Sequence, residues 1–197
     1  FEELEKSANS LAKSLEQKDK LAMFVSDEVL QLVSNEKNLE MKPGGERILA
    51  TTMFCQPQGF SNWTMDHSAS ETVLMLNVFV AQVADICKKY DGYIDKLDDD
   101  SIMLVFRHHD QQNQSCKNAV RASIEISEQL NKKNPSFPFA VKIGLCYGSV
   151  VSGKIGSHTG KLAFTVIGDS VNMAARLKLA AFEIADDTGI IISQTVV

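Results

Sequence analysis

Cysteine is scarce in this chain. Cys55, Cys87, Cys116 and Cys146 are widely spaced, lie in apolar contexts and form no CxxC or Cys/His pattern. That excludes a zinc ribbon or a disulfide framework and reads as reduced, buried thiols of a cytosolic protein. Positive charge is also in deficit, with 20 Lys and Arg against 25 Asp and Glu and a net charge of -5. Because no basic stripe offsets it, a nucleic-acid surface is excluded and any phosphate must be bound locally. No apolar run is long enough to span a bilayer, and no signal peptide is visible. The chain opens at Phe1 rather than at a Met, so we expect a piece of a longer protein in which an upstream membrane segment stays open. A Walker phosphate loop is missing as well: Gly153 and Gly156 in SGKIG lack its spacing and read as hairpin turns.

What is present suffices for one domain of ordinary size, since 197 residues with 44% hydrophobic composition can bury their own core. Organisation changes near residue 45. In residues 2–22, Leu4, Ala8, Leu11, Leu15 and Ala22 fall on a four-three spacing interrupted by Lys18, a short coiled-coil-like pattern that fits either a dimerising helix or an amphipathic helix packed on its own domain. A second helix is expected from Phe24 to Val33 with Ser26 as cap, and residues 34–45, ending Lys42-Pro43-Gly44-Gly45, read as a linker.

From Glu46 onward strands and helices alternate. The β-branched run over 48–55 predicts a buried strand, and Ser68 to Tyr90 a long helix with Val73, Leu76, Val80, Val83 and Cys87 on one face. GYIDK and SIMLVF flank Asp98-Asp99-Asp100 and predict a hairpin with its turn in the acids. A helix over 115–130 should turn Ala119, Ala122, Ile126 and Leu130 inward. FAVKIGLCYG and SVVSGKIG read as a second strand pair, followed by a helix carrying Asn172 and Arg176 and a final strand GIIIS. The expected class is α+β, a mainly antiparallel sheet with helices packed on one face, related to the ferredoxin-like arrangement.

Three stretches carry chemistry. In FTVIGDSVNMAARL, residues 164–177, Asn172 and Arg176 stand one helical turn apart behind a Gly-Asp helix start, which puts an amide and a guanidinium on one face, suited to a sugar and a phosphate together. MFCQPQGFS ends a strand in a Gly-bearing turn at Gly59-Phe60-Ser61, whose backbone N–H groups could face phosphates. KLDDDSIMLVF sets a lysine and an acidic triplet at a hairpin. His108-His109-Asp110 has Gln-rich flanks and no third ligand nearby, so it reads as a solvated loop.

In this order and spacing the three stretches, with VKIGLCYGSVVSGKIG between them, resemble the class III nucleotidyl cyclases over residues 46–195. The resemblance implies the cyclase homology fold over 46–197, lacking the family's final strands, and conversion of ATP to cyclic AMP by in-line attack of the ribose 3′-oxygen on the α-phosphorus. It implies Mg2+ or Mn2+ as cofactor, composite sites in a homodimer or heterodimer, and a cytoplasmic domain, alone or as the cytosolic part of a membrane-anchored protein. Residue by residue, it makes Asp100 a metal ligand, Lys96 and Thr165 the contacts to adenine, Asn172 the ribose-orienting group and Arg176 the stabiliser of charge on phosphorus. Gly59, Phe60 and Ser61 fall in the phosphate loop.

The departures are as informative. Gln56 stands where the family has its first metal-binding Asp, and a neutral amide is a poor ligand for a hard divalent cation. Asp99 replaces a Gly at the hairpin tip, which strains or alters the turn, and Asp98 or Asp99 is a candidate to supply the lost carboxylate. Two outcomes are therefore expected: a weakened or partner-dependent adenylate cyclase, or a pseudo-cyclase that regulates, dimerises or gives the non-metal half of a heterodimeric site. A diguanylate-cyclase reading lacks its Gly-Gly-acid-acid-Phe signature, and an RNA-binding sheet lacks aromatic strand motifs.

Overall fold

The computed structural model describes residues 44–107, 114–130, 134–156, 162–184 and 189–196. The expected N-terminal helices and the His108-His109-Asp110 loop lie outside the described residues. In chain order the elements are β1 (Gly44–Pro57), α1 (Phe60–Met65), α2 (Ala69–Lys89), β2 (Tyr93–Asp98), β3 (Ser101–Arg107), α3 (Gln114–Gln129), β4 (Val141–Gly156), β5 (Leu162–Ile167), α4 (Asp169–Ala181) and β6 (Ile190–Ile192). The sheet runs β2-β3-β1-β4-β5 with antiparallel neighbours, and β6 pairs in parallel with the start of β4. This is the expected α+β class.

Alternation along β1 assigns its two faces. Thr51 donates to Ser115 of α3, and Met53 and Cys55 join the main core with Phe79, Val83, Ile102, Leu104, Ile126 and Phe137. Thr52 donates instead to the Ser170 carbonyl of α4, and Gln56 shares that face. So α2 and α3 cover one side of the sheet as expected, whereas α4 lies on the other, so the helices do not all share one face. Ala119, Ala122, Ile126 and Leu130 are buried as predicted. All four cysteines are free and buried; burial pushes the Cys87 thiol up to about 12 and Cys55 higher still, so both stay protonated at neutral pH.

Three sequence expectations need correction. The 16-residue β4 is one continuous strand, not a strand pair, because Gly144 and Gly148 are points of close approach rather than turns. A Cβ at Gly144 would lie 2.1 Å from the Lys178 backbone nitrogen, so its absence lets α4 rest directly on the strand. The hairpin instead joins β4 to β5, and Gly153 sits in mid-strand opposite Gly45 and Thr165. Gly44 and Gly45, read as the end of a linker, are already paired in β1. On α2 the buried stripe is Phe79, Val83, Ile86 and Cys87, while Val73 is 56% exposed, so the sheet contact begins later than the periodicity suggests. By length and composition α2 is also the one described helix apolar enough to cross a membrane; only its Phe79, Val83, Ile86 and Cys87 stripe is buried, while Val73 and Leu74 are exposed.

Candidate functional site

The β2–β3 turn forms as expected, with Asp98 paired to Ser101. Asp99 takes the left-handed conformation, φ 52°, that the tip demands; Asp is among the few side chains that reach it. Behind the tip Asp100 is only 8% exposed. Its Oδ1 accepts from Gln56 Nε2 at 2.8 Å and its Oδ2 from the Ser61 hydroxyl at 3.4 Å.

The other end of the Gln56 amide meets a residue that sequence reasoning missed. Lys178 of α4, 9% exposed, donates from Nζ to Gln56 Oε1 at 2.6 Å and to Ser101 Oγ at 3.2 Å. A carboxylate, an amide and an ammonium thus form a chain from the β2–β3 turn through β1 to α4. Burial lowers the Lys178 pKa from its ordinary value, and Asp100 opposes that shift. A signal was available: Lys178 interrupts the inward stripe Ala174, Lys178, Ala181 at helical spacing. It is legible only once the inward face of α4 is known.

This donor set does not fit the expected Mg2+ or Mn2+. Such ions want several charged or carbonyl oxygens, but the single oxygen of Gln56 is committed to Lys178 and its nitrogen to Asp100. A fixed positive charge already stands one amide away from the carboxylate. Among the described residues no three His, Cys, Asp or Glu side chains are grouped to hold a metal ion. Asp98 and Asp99 are exposed, and Asp98 acts on the cluster by favouring the Lys178 charge.

Asn172 and Arg176 lie one turn apart on α4, both exposed, behind the expected Gly168-Asp169 start. Lys178 follows Arg176 by two residues, which places it roughly 200° around the helix. The pair and the Asp100 cluster therefore occupy opposite sides of α4 and cannot meet within one chain. Of the turn residues, Gly59 takes φ 83° and precedes α1, and Phe60 is buried, stacked on Trp63 and edge-on to Phe139. Phe60 is thus a core anchor, while Ser61 reaches the cluster.

Lys96 is exposed on β2 and Thr165 half-buried on β5. These strands are the two ends of the sheet path, yet the sheet curls until they touch. The contact is Asp95, also missed from sequence: one carboxylate oxygen accepts from the Thr165 hydroxyl and the other from the Val166 N–H at 3.2 Å. A register shift between Ile94 and Lys96 aims it there. Burial raises the Asp95 pKa, and the Thr165 hydrogen bond opposes that most strongly. An open cavity of about 950 Å³ beside α4 is lined by Tyr147, Ile167, Met173, Leu177, Ile192 and Thr195, and by none of the expected site residues.

Residues 46–197 match the family model of the adenylate and guanylate cyclase catalytic domain. The chain is 29% identical over 187 residues to an adenylate cyclase of Anabaena cylindrica, covering 89% of this chain and 35% of that protein. A bacterial light-regulated adenylyl cyclase superposes with a TM-score of 0.81 at 25% identity, over 97% of this chain and 56% of that one. The adenylyl cyclase CyaB from P. aeruginosa superposes with a TM-score of 0.65 at 26% identity, over 78% of this chain and 80% of its own. The chain spans about a third of the length of the curated relatives it matches.

Proposed function

Residues 46–197 of this chain belong to the adenylate and guanylate cyclase catalytic-domain family, and from that premise we propose that the domain is the substrate-positioning, non-metal half of an adenylate cyclase site completed by a second cyclase domain. The observation that carries this reading is the Lys178 ammonium bound into the Asp100–Gln56 pair, while Asn172 and Arg176 stand exposed on the far side of the same helix. The partner would hold the divalent cations, which in this chemistry polarise phosphate oxygens. This chain would give Lys96 and Thr165 to the adenine, Asn172 to the ribose and Arg176 to the charge that builds on the α-phosphorus as the 3′-oxygen attacks and pyrophosphate leaves. Positioning and charge neutralisation are most of what the reaction requires of a protein. An ATP substrate and four free buried thiols both fit a cytosolic domain.

The test is complementation. The full chain should form no cyclic AMP from ATP and Mn2+ alone, but should restore turnover to a metal-competent cyclase domain whose own Asn and Arg have been removed. Arg176→Ala should cut that turnover at least about 100-fold with its thermal stability unchanged, since the side chain is exposed. Robust activity of the chain alone, or restoration that survives Arg176→Ala, contradicts the proposal; failure of any restoration points to a purely regulatory module.

A further inference from the structure

We propose that Asp95 is a positioning residue that locks the Thr165 hydroxyl as a hydrogen-bond acceptor and so sets the site's preference for a 6-aminopurine over a 6-oxopurine. This rests on the reading above, that Lys96 and Thr165 face the base. A hydroxyl by itself is indifferent, because it donates or accepts according to what it meets. A carboxylate only accepts, and Asp95 takes one hydrogen bond on each oxygen, from the Val166 N–H and from the Thr165 hydroxyl. The Thr165 proton is therefore turned inward, and what remains for a ligand is oxygen lone pairs. An exocyclic amino group can donate to them, whereas a 6-oxo group would set lone pair against lone pair.

The local fold supports a dedicated arrangement. Asp95 is the extra residue of a bulge, between Ile94 paired to Leu104 and Lys96 paired to Met103, and bulges commonly re-aim one side chain out of the ladder. Without the slip, Asp95 would stay in the β2–β3 register rather than bridge to the opposite end of the sheet. Lys96 and Arg107 both favour its charged, acceptor-only form against the cost of burial.

The near-isosteric Asp95→Asn inverts the logic. Its amide oxygen can still serve the Val166 N–H, but its NH2 then donates to Thr165, whose proton turns outward toward the ligand. ATP and inosine triphosphate differ at the 6-substituent and in whether N1 accepts or donates, so it is the change in their binding ratio between wild type and variant, by calorimetric titration of each into the full chain in the partnered form used for complementation, that isolates the effect of Asp95. The wild type should bind ATP over inosine triphosphate by roughly tenfold, the size of one hydrogen bond made or opposed. Asp95→Asn should lower that ratio by about tenfold or more, by weakening ATP and strengthening inosine triphosphate. Equal weakening of both nucleotides, or an unchanged ratio, overturns the inference while leaving the proposed function standing. A wild type that binds neither nucleotide overturns that function and this inference with it. Should Asp95→Asn fail to fold, Thr165→Val keeps the β-branched shape and decides the matter: an ATP-to-inosine-triphosphate ratio unchanged from the wild type contradicts the proposal.

Discussion

Lys178 and Gln56 together alter the meaning of Asp100. A nearly buried carboxylate at a hairpin tip needs a positive neighbour, and here that neighbour is covalently part of the protein. Lys178→Met would leave Asp100 without its cation and the Gln56 oxygen without its donor. It should cost about 1–3 kcal/mol in urea unfolding, whereas an exposed change such as Asn172→Ala should stay within about 0.5 kcal/mol. The same geometry says what Gln56→Asp alone would do: the new carboxylate would pair with Lys178 rather than open a metal site. The sequence shows the loss at Gln56 plainly, because amide and carboxylate differ in kind. It does not show the gain at Lys178, which depends on how α4 lies across β1 and β4. Asp95 is hidden for a similar reason, since its bulge and its partner 70 residues away are not written in local periodicity.

Elements were legible where local chemistry decides them. Ser68 and Glu71 form a reciprocal capping box at the start of α2, with each side chain bonded to the other's backbone N–H, and the predicted span of that helix matches to a residue. Ser68→Ala should cost about 1 kcal/mol in denaturant unfolding. Glu71 sharpens the test, because its bond to Ser68 holds its carboxyl below the usual range. A depressed carboxylate stabilises the fold above its unfolded pKa and loses that contribution as pH falls through its folded one. The wild-type advantage over Ser68→Ala should therefore be full at pH 7 and shrink on acidification below the ordinary glutamate range. The misread elements are those where tertiary packing overrides a local sign. Gly148, at the expected break between strands, and Gly153, expected in a hairpin turn, both lie within one strand: Gly148 meets Ser170 of α4, Gly153 faces Gly45, and β4 runs straight through. Val73 keeps helical phase with Val80 and Val83 yet lies beyond the sheet's reach.

At the scale of the molecule, the curled sheet brings Lys96 and Thr165 to neighbouring strands at its two ends, while α4 separates Asn172 and Arg176 from Asp100 by half a turn of helix. Under the proposed function such a site needs a second chain, and the charge state of each half would decide which pairings work. On that reading, a chain whose Asp100 is tied through Gln56 to the Lys178 ammonium would face a metal-bearing partner rather than a copy of itself. The most direct measurement is Mn2+ binding, by electron paramagnetic resonance, to the full chain and to its Gln56→Asp/Lys178→Met variant. No Asp100-dependent binding is expected in the wild type, and a new site in the double variant that Asp100→Asn abolishes. Wild-type Mn2+ binding that disappears with Asp100→Asn would contradict it, because the ammonium would then not be filling the metal's place.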